Sequence, residues 1–142
     1  MENYNLKLLY FNIAGKAEAI RMALKYANIP FEDYRFKDGE FAKMKESGEL
    51  AFGQVPALEV TDKQSGEKTC LYQSGSILRF IARIAEKDLL IPSNPVKAAK
   101  VDALVDQEAD VFQSVRCIIY KLFNTSEIFP ILDMEMFGKE IF

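Results

Sequence analysis

Apolar and polar positions change their period several times along this chain. Leu6-Lys7-Leu8-Leu9-Tyr10-Phe11 is a short apolar run, the pattern of a buried strand. Asn12 to Gly15 break it. From Lys16 to Asn28, Ala17, Ile20, Leu24 and Ala27 recur at helical spacing, which predicts a helix with one apolar face. Pro30 closes that region, because the residue before a proline is driven out of helical geometry. Phe31 to Phe36 alternate aromatic and charged residues and predict a second strand. Asp38-Gly39 marks a turn, and Phe41 to Glu46 fit one or two helical turns.

Val55 to Val60 predict a third strand, with Pro56 at its start, where a missing N–H is tolerated. Asp62 and Ser65-Gly66 mark a hairpin loop, and Lys68 to Tyr72 the returning antiparallel strand. Ser74 begins a helix with the stripe Ile77, Phe80, Ile81 and Ile84. The order is βαβ followed by ββα, which predicts a thioredoxin-like α/β layer with a mixed sheet. Leu89 to Pro95 form a linker, in which Asn94 can cap a helix that has Pro95 at its first position. From Val96 to about Phe123 the pattern stays helical through Val101, Leu104, Val105, Glu108, Val111, Phe112 and Val115. A helix of about 40 Å is too long to lie on so small a sheet, so it should begin a second, all-α unit. Asn124 to Phe142 have no strong period and are not placed. The predicted domains are 1–88 and 89–142.

Composition removes whole classes of chemistry. With 142 residues, about two-thirds of the unfolded surface can be buried, enough for a core without disulfides. There is no His, which excludes a Ser-His-Asp triad, a Cys-His dyad and a His-ligated metal. Cys70 and Cys117 form no CxxC, so neither a zinc site nor a dithiol exchange centre is expected. Two isolated cysteines suit a reducing compartment. The net charge of −3 argues against a nucleic-acid partner. The N-terminus lacks the apolar core of a signal peptide, and no apolar run is long enough to span a membrane.

Three local features could together bind a small molecule. Tyr10 ends the first strand, and ligands of open α/β sheets gather at the carboxyl ends of strands. Its hydroxyl can donate to a bound thiolate. Favouring that anion by one pKa unit, about 1.4 kcal/mol, raises its population near neutral pH almost tenfold. Taken alone, Tyr10 reads more readily as a core tyrosine bonded to the backbone. Gln54-Val55-Pro56 precedes the third strand. A cis Val55–Pro56 bond would turn the Val55 backbone toward an extended peptide ligand, but an ordinary trans proline is the commoner case. Gln73-Ser74 sit at a helix start, where first-turn N–H groups suit a carboxylate, and where plain capping is at least as common.

In combination these features resemble the glutathione transferase family, most closely its sigma class. The matching residues are Tyr10-Phe11-Asn12, Gly15-Lys16-Ala17-Glu18, Ile20-Arg21, Phe31-Glu32-Asp33, Phe52-Gly53-Gln54-Val55-Pro56, Gln73-Ser74 and Val101-Asp102-Ala103-Leu104-Val105-Asp106. The resemblance covers roughly Leu6 to Val115. It implies a thioredoxin-like glutathione-binding domain, an all-α second domain and a cytoplasmic homodimer. Tyr10 would activate the glutathione sulfur for attack on a small electrophile, with no metal. Gln54 and Val55 would hold the cysteinyl backbone, with Pro56 cis. Gln73 and Ser74 would take the γ-glutamyl carboxylate, and Lys45 and Phe41 would flank the glycyl end. Asp106, from the partner subunit, would meet the γ-glutamyl amine. These groups complement the charges of glutathione.

The chain also departs from the family pattern. Lys16 and Ala14 stand at positions that are commonly Arg, so the bidentate fork is lost. Phe41 replaces a frequent Trp, and the loop from Asp62 to Thr69 is longer than usual. Gly75 is expected to loosen the first turn of its helix by up to about 1 kcal/mol. Family members continue through several more helices, so the all-α domain is expected to be incomplete, leaving part of the Val101-to-Val115 stripe uncovered. Two functions follow as expectations. One is a transferase, including sigma-type isomerisation or peroxide reduction that uses glutathione. The alternative is a non-catalytic glutathione-binding or structural protein.

Overall fold

The computed structural model describes residues 3–123. Its contacts divide the chain into Met1–Asp106 and Gln107–Phe142. The first unit carries β1 (Tyr4–Tyr10), a 3₁₀ turn (Gly15–Ala17), α1 (Glu18–Tyr26), β2 (Glu32–Arg35), α2 (Glu40–Glu46), β3 (Ala57–Asp62), β4 (Lys68–Tyr72) and α3 (Ser74–Ile84). A fourth helix, α4 (Pro95–Phe123), begins there and continues into the second unit. The segment that the sequence left unplaced, 124–142, lies outside the described residues.

The strand order is β2-β1-β3-β4. β1 pairs parallel with β2, while β1–β3 and β3–β4 are antiparallel. This is the expected mixed, thioredoxin-like arrangement. Leu6, Leu8 and Tyr10 alternate along β1 and join one core cluster with Ile20 and Leu24 of α1, Leu58 and Val60 of β3, and Ile77 and Ile81 of α3. Six of the side chains, Leu8, Ile20, Leu24, Leu58, Ile77 and Ile81, are fully buried. Each such burial contributes about 1.5–3 kcal/mol. Tyr10 therefore lies on the helix-covered face of the sheet because strand side chains alternate.

Turn chemistry follows the sequence closely. Asp62 Oδ1 accepts the backbone N–H groups of Gln64 (2.8 Å) and Ser65 (2.9 Å), which shapes the β3–β4 hairpin. Asn94 Oδ1 accepts from Val96 and Lys97, both at 3.1 Å, and so caps α4 ahead of Pro95.

Three expectations need correction. The predicted helix from Lys16 is a 3₁₀ turn followed by α1. A residue with positive φ, Gly15 at +43°, stands at its entrance and delays the regular helix. The second strand is only Glu32–Arg35 and the third begins at Ala57, one residue after Pro56. The Val55–Pro56 bond is cis, as the family resemblance implies, although the local sequence alone favours the commoner trans form. Gly75 also makes room for its neighbours. A Cβ there would stand 3.3 Å from Arg79 Nη1 and 3.3 Å from Val105 Cγ1, so the missing side chain lets α3 and the start of α4 approach closely.

Candidate active site

The carboxyl end of β1 is held in place by its neighbours. The Phe36 N–H donates to the Tyr10 carbonyl at 3.0 Å, which extends the β1–β2 pairing past β2. The Tyr10 ring packs edge-on against Phe11, at 5.4 Å between centroids. Its hydroxyl oxygen accepts the backbone N–H of Lys16 at 3.1 Å. That bond uses an acceptor position of the oxygen and not its proton. The Cβ of any other residue at position 15 would stand 2.6 Å from the same oxygen. Only glycine lets the loop pass this close, and its φ of +43° is a second reason for glycine here.

Beneath the loop lies a buried cation. Arg21 of α1 is only 3% exposed, and its guanidinium carbon is 5.8 Å from the centre of the Tyr10 ring. Its Nε donates to both carboxylate oxygens of Asp33, at 3.0 and 3.2 Å. Its Nη1 donates to the carbonyls of Ile13 (2.9 Å) and Ala14 (3.3 Å) and to Glu18 Oε2 (3.0 Å). Nη2 is buried with no hydrogen-bond partner among the described residues. Burial opposes the Arg21 charge, but the bonds to Asp33 and Glu18 outweigh it and raise its pKa. Burial likewise works to raise Asp33, and the bonds from Arg21 and Arg35 overcome it, so that this carboxyl titrates below its ordinary value. Arg35 also reaches the loop, with Nη1 donating to Asn12 Oδ1 at 2.8 Å.

A second group of predicted residues gathers at the starts of β3 and α3. Val55 lies ahead of β3, outside its ladder, on the cis bond to the buried Pro56. Gln73 Nε2 donates to Gln54 Oε1 at 3.4 Å. Gln73 has a φ of +67°, a conformation that costs about 1–3 kcal/mol in a residue with a side chain and clusters at functional sites. Ser74 is buried in the first turn of α3, and the side chain of the preceding Gln73 makes no capping bond to that turn. Lys45, exposed on α2, runs beside Gly53, where its Cε is 3.3 Å from the place a Cβ would take. The structure therefore sets Lys45 beside the loop that carries Gln54.

Two predicted residues have a different setting. Phe41 is 5% exposed and packs against Phe11 (5.1 Å) and Phe36 (5.8 Å), so it belongs to an aromatic cluster with them. Asp106 accepts a 2.6 Å bond from Arg79 Nη2, while Asp102 accepts one of 2.8 Å from Arg79 Nε. The sequence placed Arg21 within a matching motif but gave it no role. The available signal was an arginine four residues after Ala17 and three before Leu24, squarely on the apolar face of α1.

Comparison with known proteins identifies the family. Residues 6–83, more than half of the chain, match the family model described as glutathione S-transferase, N-terminal domain. The hematopoietic prostaglandin D synthase of Gallus gallus is 38% identical over 102 residues, covering 72% of this chain and 46% of that protein. Glutathione S-transferase 4 of Caenorhabditis elegans is 37% identical over 123 residues, 87% of this chain and 54% of the relative. The crystal structure of a major nematode C. elegans specific GST superposes with a TM-score of 0.70 at 33% identity, covering 98% of this chain and 61% of the other. The chain spans about half the length of the curated relatives it matches. It belongs to the glutathione S-transferase family.

Proposed function

We propose that the chain binds glutathione and activates its thiol for attack on an electrophilic small molecule. The observation that carries this reading is the Tyr10 hydroxyl, fixed by the Lys16 N–H at the carboxyl end of β1. A hydroxyl in that position, with its oxygen already accepting one bond, is a good donor to a thiolate. The bound thiol gives up its proton to solvent, the thiolate attacks an electrophilic carbon, a C–S bond forms, and the carbon–leaving-group bond breaks with the leaving group taking the bonding pair. Orientation and stabilisation of the developing charge supply the acceleration.

The tripeptide is placed by complementarity. The γ-glutamyl carboxylate goes to Gln73, Ser74 and the first turn of α3, where helix N–H groups favour an anion. The cysteinyl backbone goes to Gln54 and to Val55 ahead of Pro56. The glycyl carboxylate goes toward Lys45, with Lys16 as a further cation and Phe41 packed beneath. Asp106 meets the γ-glutamyl amine across a homodimer. Residues 1–88 act as the glutathione-binding domain and 89–142 as part of the all-α domain, in a cytoplasmic enzyme of detoxification. The same thiolate would serve glutathione-dependent isomerisation or peroxide reduction.

Glutathione titration of the purified chain, followed by turnover of a generic aryl halide, tests the proposal. Saturable binding with glutathione-dependent turnover is expected. Binding without turnover leaves a non-catalytic glutathione-binding protein, and no binding removes the site assignment.

A further inference from the structure

We propose that Arg21 is a positioning residue for Tyr10, acting through the loop of residues 12–16. The inference rests on the reading of Tyr10 as the group that activates the thiol. Asp33 of β2 anchors two arginines, and both grip this one loop. Arg21 holds the carbonyls of Ile13 and Ala14, and Arg35 holds the side chain of Asn12. Both lean on the same carboxylate, Arg21 at 3.0 Å and Arg35 at 2.9 Å. The next residues in the chain are Gly15, which passes against the Tyr10 oxygen, and Lys16, whose N–H bonds to it. The clamp thus ends on the reacting hydroxyl.

Two features set this arginine apart from one that serves stability alone. It makes its two backbone bonds to an irregular, otherwise exposed loop segment and not to core elements. Its Nη2 is also buried, with no hydrogen-bond partner among the described residues.

Arg21→Lys separates charge from geometry. Lysine keeps the positive charge and loses the planar fork that reaches Asp33 and two carbonyls at once. Two measurements read the result. In the unliganded protein, hydrogen exchange at the Lys16 amide is expected to speed up by about tenfold or more, while the β1 amides of Leu8 and Leu9 stay protected. In the glutathione complex, the bound thiol is expected to titrate about half a pH unit higher, roughly threefold less thiolate near neutrality. In a Tyr10→Phe background the same Arg21→Lys change is expected to leave the thiol titration unmoved, because its route is gone. Unchanged Lys16 exchange overturns the proposal whatever glutathione does. An equal titration shift with and without the Tyr10 hydroxyl overturns it too. A wild type that binds glutathione without lowering its thiol titration defeats the reading of Tyr10, while Lys16 exchange still judges the clamp. If Arg21→Lys does not fold, Asn12→Ala releases only the exposed end of the clamp. It should shift both readouts in the same directions, and its failure to move either overturns the proposal.

Discussion

Gly15 and Tyr10 touch so closely that a single methyl group would separate them. A Cβ at position 15 would lie 2.6 Å from the Tyr10 hydroxyl oxygen and 3.0 Å from the ring edge. The backbone there also has a φ of +43°. Gly15→Ala should therefore displace the hydroxyl or the loop, and lower kcat/KM by about tenfold or more, since small misplacements at a reacting group are that costly. Its effect on stability should be about 1–2 kcal/mol, from the left-handed backbone. Steady-state kinetics alongside a denaturant melt check both numbers. An alanine variant with wild-type kcat/KM would show that the close approach has no catalytic meaning.

The contact at Gly75 carries a prediction about stability. Gly75→Val would push branched carbons into Val105 and Arg79, each already 3.3 Å from the Cβ position. Overpacking of this kind costs about 1–3 kcal/mol. The shift of the denaturation midpoint measures it, and a valine variant as stable as wild type would mean that α3 and the start of α4 do not need to lie so close.

The Asp33 anchor predicts a pH dependence with a definite sign. Its folded pKa lies below the ordinary value, since the arginine bonds outweigh the opposing burial. The unfolded chain therefore takes up a proton first, near pH 4, and the folded chain at lower pH. The stability that Asp33 contributes is complete above about pH 4 and is lost as pH falls through the folded value. Asp33→Asn should lower stability at neutral pH and flatten the loss between about pH 5 and pH 3. Denaturant melts across that range decide it, and parallel curves for variant and wild type would contradict the assignment.

Much of the fold was legible in the pattern, and the reason is periodicity. The alternation of Leu6, Leu8 and Tyr10 and the helical spacing of Ile20 and Leu24 both report burial directly, and these residues form the core. Local chemistry was equally readable where one side chain makes the turn, as at Asp62 and Asn94. The site was legible only in part. The strand end and the helix start mark Tyr10, Gln54 and Gln73 as candidates, and the structure sets Gln54 and Gln73 side by side. The cis bond before Pro56 was not legible locally, because cis and trans differ by only about 0.5–1 kcal/mol at proline and tertiary context decides between them. The packing of Phe41 against Phe11 and Phe36 was not legible either. Their distance in sequence hides that cluster. Arg21 stayed without a role for the same reason, since its partners Ile13, Ala14 and Asp33 meet only in the folded chain.

The claim that Tyr10 activates a bound thiol is tested most directly by titrating glutathione's thiol in its complexes with wild type and Tyr10→Phe, following thiolate absorbance against pH. The account predicts that wild type lowers the thiol titration below that of free glutathione. It predicts that Tyr10→Phe returns it most of the way, binds the tripeptide within a few-fold of wild type, and loses about 100-fold in conjugation rate. Identical titrations in the two proteins, or a Tyr10→Phe variant as fast as wild type, would contradict it.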